Sequence, residues 1–290
     1  MPSQLSVRAI IPTWSLRGRT EAFIAHVNNI RKVMNASPNV DKTKSGVLVI
    51  EDNPNIEEQS IIQEAVNAAL RECSLQNSLK IVRLHCNEEG GVGYKKFKGL
   101  ELALGDELNP HDLAVVVNDH KGHHPENIML MVDAYLQLNL EMIIGARSEA
   151  DMIDKLPGAQ LFYETRVNQM VNDRFDFSDV FGGCYPDFVF GVLLVSRNGW
   201  NKLYAKIVEW EHLGKLSFWD AAKAISFGFD VFVPIIGKAA NLEIGSATLN
   251  LSDLKQLVSG SSSLEGRQKQ FAAHMKAIEI AIRFISGDKT

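Results

Sequence analysis

The chain has 290 residues, a formal net charge of -5, and 46% hydrophobic and 22% charged residues. This composition excludes disordered and fibrous proteins, and the length suits one large domain or two fused ones. The charge gives no overall positive field to attract nucleic acid or anionic lipid. The three cysteines, Cys73, Cys86 and Cys184, have no C-x-x-C spacing, which indicates unpaired thiols in a reducing compartment rather than a structural zinc site.

The N-terminal residues MPSQLSVRAIIPTW contain a short apolar patch without the cationic flank of a signal peptide. No run of about 20 apolar residues, the length that a transmembrane helix needs, occurs in the sequence. We therefore expect a cytoplasmic protein without a transmembrane segment.

The first half of the chain alternates short apolar runs with longer segments of helical periodicity. Continuous apolar runs are typical of strands that are covered on both faces. The pattern predicts an α/β fold in which a mostly parallel sheet is flanked by helices. The predicted strands are Val7–Ile11, Val47–Ile50, Lys80–Leu84, Leu113–Val117 and Met142–Gly145, and the helical stripes between them include Phe23, Val27, Ile30, Met34, Ile61, Ala65, Ala69, Leu70, Leu100, Leu102, Leu104, Met129, Val132 and Leu136.

After Gly145 the alternation ends, and we expect a second lobe over 146–258 fused to the first half over 1–145. The predicted elements there are helices at Leu161–Val171, Asn198–Trp210 and Phe218–Phe227, an apolar run at Val189–Val195, and a short strand at Val231–Pro234.

The last segment, 259–290, contains a predicted amphipathic helix over Gln268–Ile285. Its apolar stripe, which includes Phe271, Met275 and Ile278, would dock onto the body of the protein or onto a second copy in a homo-oligomer. A helix on a membrane surface is the weaker interpretation, because the polar face mixes both signs of charge.

Polar residues follow each predicted strand, at the place where ligands bind in open α/β sheets. They combine carboxylates with a glycine-rich loop and lysines, a mixture that suits a ligand carrying both hydrogen-bond donors and phosphates. Alone, each group also has a plain structural role, as a helix cap, a loop or a solvated helix face. The groups are Pro12 and Thr13 after the first strand, Glu51 and Asp52 after the second, Gly91 and Lys95 after the third, and Asn118, Asp119 and His120 after the fourth.

The order of these groups resembles the GT-A glycosyltransferases, in particular glycosyltransferase family 2 and its dolichyl-phosphate mannosyltransferase-like branch. The segments that carry the resemblance are VRAIIPTW, VLVIEDNPN, NEEGGVGYKKFKGLELAL, LAVVVNDHKGHHPENI, EMIIGARS and DFVFGVLLVSR. The resemblance implies a nucleotide-diphospho-sugar transferase fold, with residues 1–145 as the nucleotide-sugar-binding half and 146–258 as the acceptor and catalytic lobe of the same unit. It also implies a UDP- or GDP-sugar donor whose base or ribose donates hydrogen bonds to Asp52 and Glu51, in a pocket formed with Pro12, Thr13, Gly91, Lys95 and Asn118.

By the same resemblance, a divalent cation, Mn²⁺ or Mg²⁺, would bridge the two phosphates at the D-x-D position. This chain departs from the motif, because Asn118 and His120 occupy the two aspartate places and Asp119 lies between them. Asp119 and His120 are the metal ligands that remain, and imidazole shifts the preference of such a site toward manganese.

The resemblance implies transfer of the sugar, with inversion, to an acceptor that the sequence does not identify. Asp220, one residue out of register with the family's acidic pair, and Asp187 are the candidate catalytic carboxylates, although Asp220 could equally cap a helix. A catalytically degenerate binding protein is the main alternative, because the D-x-D motif is altered. A sugar-phosphate nucleotidyltransferase is less favoured, because the first strand leads into PTWSLRGRTE rather than a glycine-rich pyrophosphate loop.

Overall fold

A computed structural model describes residues 4–71, 80–86, 91–105, 112–117, 124–180, 186–212, 217–225, 228–250 and 264–286. Within these ranges the strands are β1 (Ser6–Thr13), β2 (Gly46–Glu51), β3 (Lys80–His85), β4 (Asp112–Val116), β5 (Met142–Ala146), β6 (Leu193–Ser196) and β7 (Ile244–Thr248). The helices are α1 (Thr20–Ala36), α2 (Ile56–Arg71), α3 (Gly91–Leu104), α4 (Asn127–Leu138), α5 (Glu149–Lys155), α6 (Gly158–Phe175), α7 (Arg197–His212), α8 (Phe218–Ile225), α9 (Phe229–Ala239) and α10 (Leu264–Ser286).

The strands form one sheet in the order β3-β2-β1-β4-β6-β5-β7. Only β6 runs antiparallel to its neighbours, β4 and β5, among the described strands. The carboxyl ends of the other six strands therefore meet at one edge of the sheet, together with the amino end of β6. We call this the carboxyl edge.

Helices cover both faces of the sheet, which explains why its strands have continuous apolar sequences. One core packs α1, α2 and α4 against side chains such as Ile11 and Val49. The other packs α3 and α7 to α10 against side chains such as Ile10 and Ile50. Phe97 of α3 lies inside this second core, with its ring centroid 4.6 Å from that of Phe218 and 4.7 Å from that of Phe229.

The predicted α/β architecture and its five strands in the first half are confirmed. Some helical stripes are displaced from the prediction, since Leu102 of α3 and Leu136 of α4 are exposed while Met131 and Ile128 of α4 are buried. The predicted helices of the second half correspond to α6, α7, α8 and α10.

The strand predicted at Val231–Pro234 is wrong, because these residues lie within helix α9. Every side chain from Val231 to Ile236 is buried, so these six residues are uniformly apolar and show no helical periodicity in the sequence. A short, β-branched, uniformly apolar run cannot be told from a buried strand by pattern alone. The strand of this region is β7, which contains Gly, Ser and Thr and was not predicted.

The C-terminal helix α10 packs against α6, α8 and α9. Its buried side chains include Ile278 and Phe284, and the Phe284 ring centroid lies 5.2 Å from that of Trp210 in α7. This contact confirms that the apolar face docks onto the body of the protein. None of the described helices combines the length and the apolar character needed to cross a bilayer.

Candidate functional site

A buried ion pair joins three structural elements at the carboxyl edge. The Lys95 ammonium, from the second turn of α3, lies 2.6 Å from Asp52 Oδ1 and donates a hydrogen bond of 3.1 Å to the carbonyl oxygen of Thr13. The second carboxylate oxygen of Asp52 accepts the backbone N–H of Gly91 at 2.9 Å. The end of β1, the residue after β2 and the start of α3 are thus held together, as their shared position at this edge predicts.

Two glycines of α3 allow this close approach. Gly91 has a φ of +70°, a left-handed conformation that glycine adopts without steric cost. A Cβ atom on Gly99 would lie 2.3 Å from Cγ2 of Ile10, so α3 packs on β1 at a distance that only glycine permits. The tight contact brings Lys95 within reach of Thr13.

Glu51, the neighbour of Asp52, has different partners. Its Oε1 atom lies 2.5 Å from the Arg83 guanidinium and 2.8 Å from His85 Nδ1, and its Oε2 atom accepts the N–H of Asn53 at 3.1 Å. Both basic residues belong to the edge strand β3. The two consecutive acids therefore point to different sides, Glu51 toward β3 and Asp52 toward α3.

The residues at the end of β1 lie next to the ion pair. Pro12 is buried and lies beside Ile50 in the sheet register. The hydroxyl of Thr13 is buried and has no hydrogen-bond partner among the described residues. Trp14 is 46% exposed, and its ring centroid lies 5.0 Å from the Lys95 ammonium, so an aromatic surface borders the site.

A second ionic cluster lies beyond β5. The Nε atom of Arg147 donates to Asp187 Oδ2, and its Nη2 atom lies 2.8 Å from Glu164 Oε2. All three side chains are largely buried. Since Arg147 follows β5 and Asp187 precedes β6, the cluster also belongs to the carboxyl edge, on the far side of β4 from Lys95.

The charges of this cluster shift the pKa values of its members. Burial lowers the pKa of Arg147, but the charges of Asp187 and Glu164 outweigh it and the net shift is upward. Burial raises the pKa of the Glu164 carboxyl above its ordinary value, although Arg147 opposes the shift. Asp187 and Glu164 share the Arg147 guanidinium, and Arg267 of α10 also interacts electrostatically with Glu164.

Helix α6 also anchors the loop that leads into β6. The amide of Asn168 donates to Asp187 Oδ1 at 2.9 Å and its oxygen accepts the N–H of Phe188 at 3.0 Å. Sequence reasoning missed Glu164 and Asn168. The only signal was the i, i+4 spacing of Gln160, Glu164 and Asn168, which places polar side chains on one face of the helix.

The second candidate catalytic residue, Asp220, is exposed in the first turn of α8. Among the described residues, no hydrogen bond or ion pair joins it to Asp187. Its neighbour Trp219 packs edge-on against Tyr94 with ring centroids 5.6 Å apart, and the Lys98 ammonium lies 3.9 Å from the Trp219 ring. This aromatic cluster connects α8 to α3.

The residues of the predicted metal site, Asn118, Asp119 and His120, lie outside the described residues. In the described part of the chain, no three His, Cys, Asp or Glu side chains form a group that could hold a metal ion. Of the predicted thiols, Cys73 and Cys184 also lie outside the described residues. Cys86 is a buried free thiol, and burial raises its pKa to about 11.

No protein-family model matches the sequence, and no curated protein matches it. Three solved structures that resemble the chain are those of a glycosyltransferase with its ligands, a mycobacterial protein and a mannosyltransferase. Glucosyl-3-phosphoglycerate synthase from Mycobacterium tuberculosis, crystallised with Mn²⁺, UDP and glucosyl-3-phosphoglycerate, is 13% identical, with a TM-score of 0.52 over 99% of this chain and 82% of the other. The mycobacterial protein is 12% identical, with a TM-score of 0.52 over 99% of this chain and 76% of the other.

A mannosyltransferase from Pyrobaculum calidifontis, solved with GDP-Man and Mn²⁺, is 10% identical, with a TM-score of 0.42 over 99% of this chain and 75% of the other. At these identities a structural likeness is evidence about fold and not about reaction. The seven-stranded, mostly parallel sheet with helices on both faces, together with the match to glucosyl-3-phosphoglycerate synthase, gives this chain the GT-A fold of nucleotide-sugar transferases.

Proposed function

We propose that the protein is a glycosyltransferase that binds a nucleoside diphosphate sugar at the carboxyl edge and transfers the sugar to an acceptor. The observation that carries the proposal is the meeting of Thr13, Asp52 and Gly91 at this edge within a GT-A fold. In open α/β sheets, nucleotides bind outside the carboxyl ends of the strands. The resemblance of the sequence to glycosyltransferase family 2 supports the same assignment.

The donor nucleotide would lie over the end of β1 and the first turn of α3. Pro12 and Thr13 lie buried beneath this region, and the exposed Trp14 ring borders it. UDP and GDP are the nucleotides that the family resemblance favours.

A divalent cation, when bound, would neutralise charge on the departing nucleoside diphosphate. The acids Glu51, Asp52 and Asp187 each have basic partners within the chain. By the family resemblance, the residues that would hold the cation are Asp119 and His120, with Asn118 beside them. One carboxylate with one imidazole is a donor set that suits Mn²⁺ better than Mg²⁺.

In an inverting transfer, a carboxylate accepts the proton of the acceptor hydroxyl as the oxygen attacks the anomeric carbon. Both oxygens of Asp187 already accept hydrogen bonds, from Arg147 and Asn168. Asp220 is exposed on α8, so it can approach an acceptor from solvent. We therefore favour Asp220 as the proton acceptor and assign Asp187 to anchoring the loop before β6.

The test of this function measures binding first and turnover second. Calorimetry with UDP and with GDP, each with MnCl₂ or MgCl₂, should show one nucleotide binding, and more tightly with manganese. The Asp119→Ala variant should lose the metal dependence, whereas Asp133→Ala, an exposed carboxylate on α4, should bind as the parent does.

Turnover is then measured as nucleoside diphosphate released from UDP-glucose or GDP-mannose. Release that depends on Asp220 supports the transferase. Binding without any release favours the degenerate binding protein that the altered D-x-D motif also suggests. Failure of both nucleotides to bind would refute the proposed function.

A further inference from the structure

We propose that Lys95 and Asp52 are positioning residues: a fixed internal ion pair that sets the shape of the donor pocket without contacting the nucleotide. The inference rests on the proposed function, because it assigns a role within the donor site. It differs from the roles that the sequence implied, in which Asp52 accepts hydrogen bonds from the nucleotide and Lys95 is a further residue of its pocket.

The first argument is accessibility. Lys95 is 0% exposed and Asp52 is 1% exposed, so neither side chain offers a surface to a ligand. Both carboxylate oxygens of Asp52 are engaged, one by the ammonium and one by the N–H of Gly91. A nucleotide could reach Asp52 only by breaking contacts that neutralise a buried charge, which is unfavourable.

The second argument is what the pair holds in place. The ammonium also binds the carbonyl oxygen of Thr13, the residue before the exposed Trp14. The carboxylate accepts an N–H from the first residue of α3, where a negative charge is favourable to the helix dipole. One ion pair thus fixes both the end of β1 and the start of α3.

A nucleotide-contacting Asp52 and an internal Asp52–Lys95 pair predict different nucleotide affinities for the single and double variants. If Asp52 is a ligand, its replacement loses contacts to the nucleotide, and a second change at Lys95 cannot restore them. If the pair is internal, each single replacement leaves one buried charge without a partner, and the double replacement removes that charge. Rescue by the double variant is therefore the diagnostic result.

The experiment compares Asp52→Asn, Lys95→Met and the double variant with the parent. The dissociation constant of whichever nucleotide the parent binds, UDP or GDP, is measured with Mn²⁺ at a temperature where circular dichroism shows every variant folded. Each single variant should bind at least about tenfold more weakly, and the double variant should return to within about threefold of the parent.

Lys96 and Asp230 provide a matched control. They form another lysine–aspartate pair, with an Nζ–Oδ1 distance of 2.6 Å, that links α3 to α9 rather than to β1; Lys96 is buried and the Asp230 side chain is 14% exposed. Lys96→Met and Asp230→Asn should lower the melting temperature while nucleotide affinity stays within about twofold of the parent. A loss of affinity in this control equal to that of the Lys95 variants would overturn the positioning role.

A double Asp52–Lys95 variant that binds as weakly as Asp52→Asn alone would also overturn the inference, because Asp52 would then be a ligand. If the parent binds neither nucleotide, the proposed function fails and the pair is tested by fluorescence instead. Subtracting the spectrum of the matching Trp14→Phe variant isolates the emission of Trp14, which Lys95→Met should shift and the double variant should restore. An unshifted Trp14 emission in Lys95→Met contradicts the inference even then.

Discussion

The two ionic clusters of the carboxyl edge differ in their balance of charge. Beside β1, one ammonium faces one carboxylate, Asp52. Beside β5, one guanidinium faces two carboxylates, Asp187 and Glu164. The one-to-one pair fixes geometry, whereas burial in the β5 cluster raises the pKa of Glu164, so the protonation of this carboxyl can change with pH. The same sheet edge therefore carries a rigid half and a titratable half.

The choice of cation follows from this difference. The guanidinium of Arg147 has several donors in one plane, so it can face Asp187 through Nε and Glu164 through Nη2. The ammonium of Lys95 is a compact charge that fits between one carboxylate and one carbonyl oxygen. Exchanging the two cations would leave carboxylate oxygens unpaired beside β5.

The largest effect is expected from removal of the shared cation, Arg147→Met. Two buried carboxylates would lose the guanidinium that pairs with both of them, and breaking a buried ionic group in this way costs about 3–5 kcal/mol. Urea unfolding at pH 7, followed by circular dichroism, measures the free energy of unfolding. Because the cluster anchors the loop before β6, the transition should remain cooperative but move to a lower urea concentration.

Arg283→Met is the control for this prediction. Arg283 forms an ion pair of 2.6 Å with Glu279 on the exposed face of α10, where both side chains are about half exposed or more. Exposed pairs of this kind contribute about 0–1 kcal/mol, so the control should barely change stability. Similar losses in the two variants would mean that the β5 cluster is not a buried ionic centre.

A smaller effect is expected on the balanced side from Gly99→Ala. The added Cβ would meet Ile10 at 2.3 Å, so α3 must move away from β1 or strain the contact. Overpacking of this kind costs about 1–3 kcal/mol. If the pocket depends on the approach of α3 to β1, nucleotide affinity should fall along with stability, which calorimetry and urea unfolding measure separately.

Gly158→Ala serves as the comparison. A Cβ at Gly158, the first residue of α6, would have no neighbour within 4 Å, and the residue does not need a left-handed backbone. Alanine there should be neutral or stabilise the protein by up to about 1 kcal/mol. Equal destabilisation by the two substitutions would show that the α3–β1 contact is not especially tight.

Sequence reasoning predicted the sheet because strands buried on both faces have continuous apolar sequences, such as VLVI of β2. It also placed Asp52 and Gly91 at one edge, since parallel strands end together. It could not show that Asp52 is paired with Lys95, because the two residues are 43 positions apart and only tertiary packing joins them. Helix α9 was missed because the residues from Val231 to Ile236 are all apolar and buried, so they show no helical periodicity.

The second cluster was predicted only in part. Asp187 was a candidate from the family resemblance, whereas Glu164 lies on α6 among polar residues that look like a solvated helix face. Only the fold shows that this face points at Arg147. A polar residue that becomes buried by meeting a distant partner leaves no local signal in the sequence.

The smallest expected effect, and the most specific to the titratable half, is that of Glu164→Gln. Glutamine keeps an oxygen to accept the Gln160 amide hydrogen bond, and its neutrality balances the charge of Arg147 against that of Asp187. At pH 7 we expect the free energy of unfolding to change by less than about 1 kcal/mol, because a lost ion pair is offset by the avoided burial of a second carboxylate.

The raised pKa of Glu164 determines how the stability of the protein changes with pH. Because the folded pKa of Glu164 is raised by burial, the folded state retains a proton that the unfolded state has lost, and stability decreases as pH rises from about 4.5 through the folded pKa. Glu164→Gln removes this decrease, so the free energy of unfolding of the variant should rise relative to that of the parent as pH rises.

Asp151→Asn should become less stable relative to the parent as pH rises, since the Lys155 hydrogen bond lowers the pKa of Asp151. Its contribution to stability is present above the unfolded pKa and is lost as pH falls. Urea unfolding from pH 4 to pH 8 measures both trends. Parallel trends in the two variants would contradict the raised pKa of Glu164 in the folded protein.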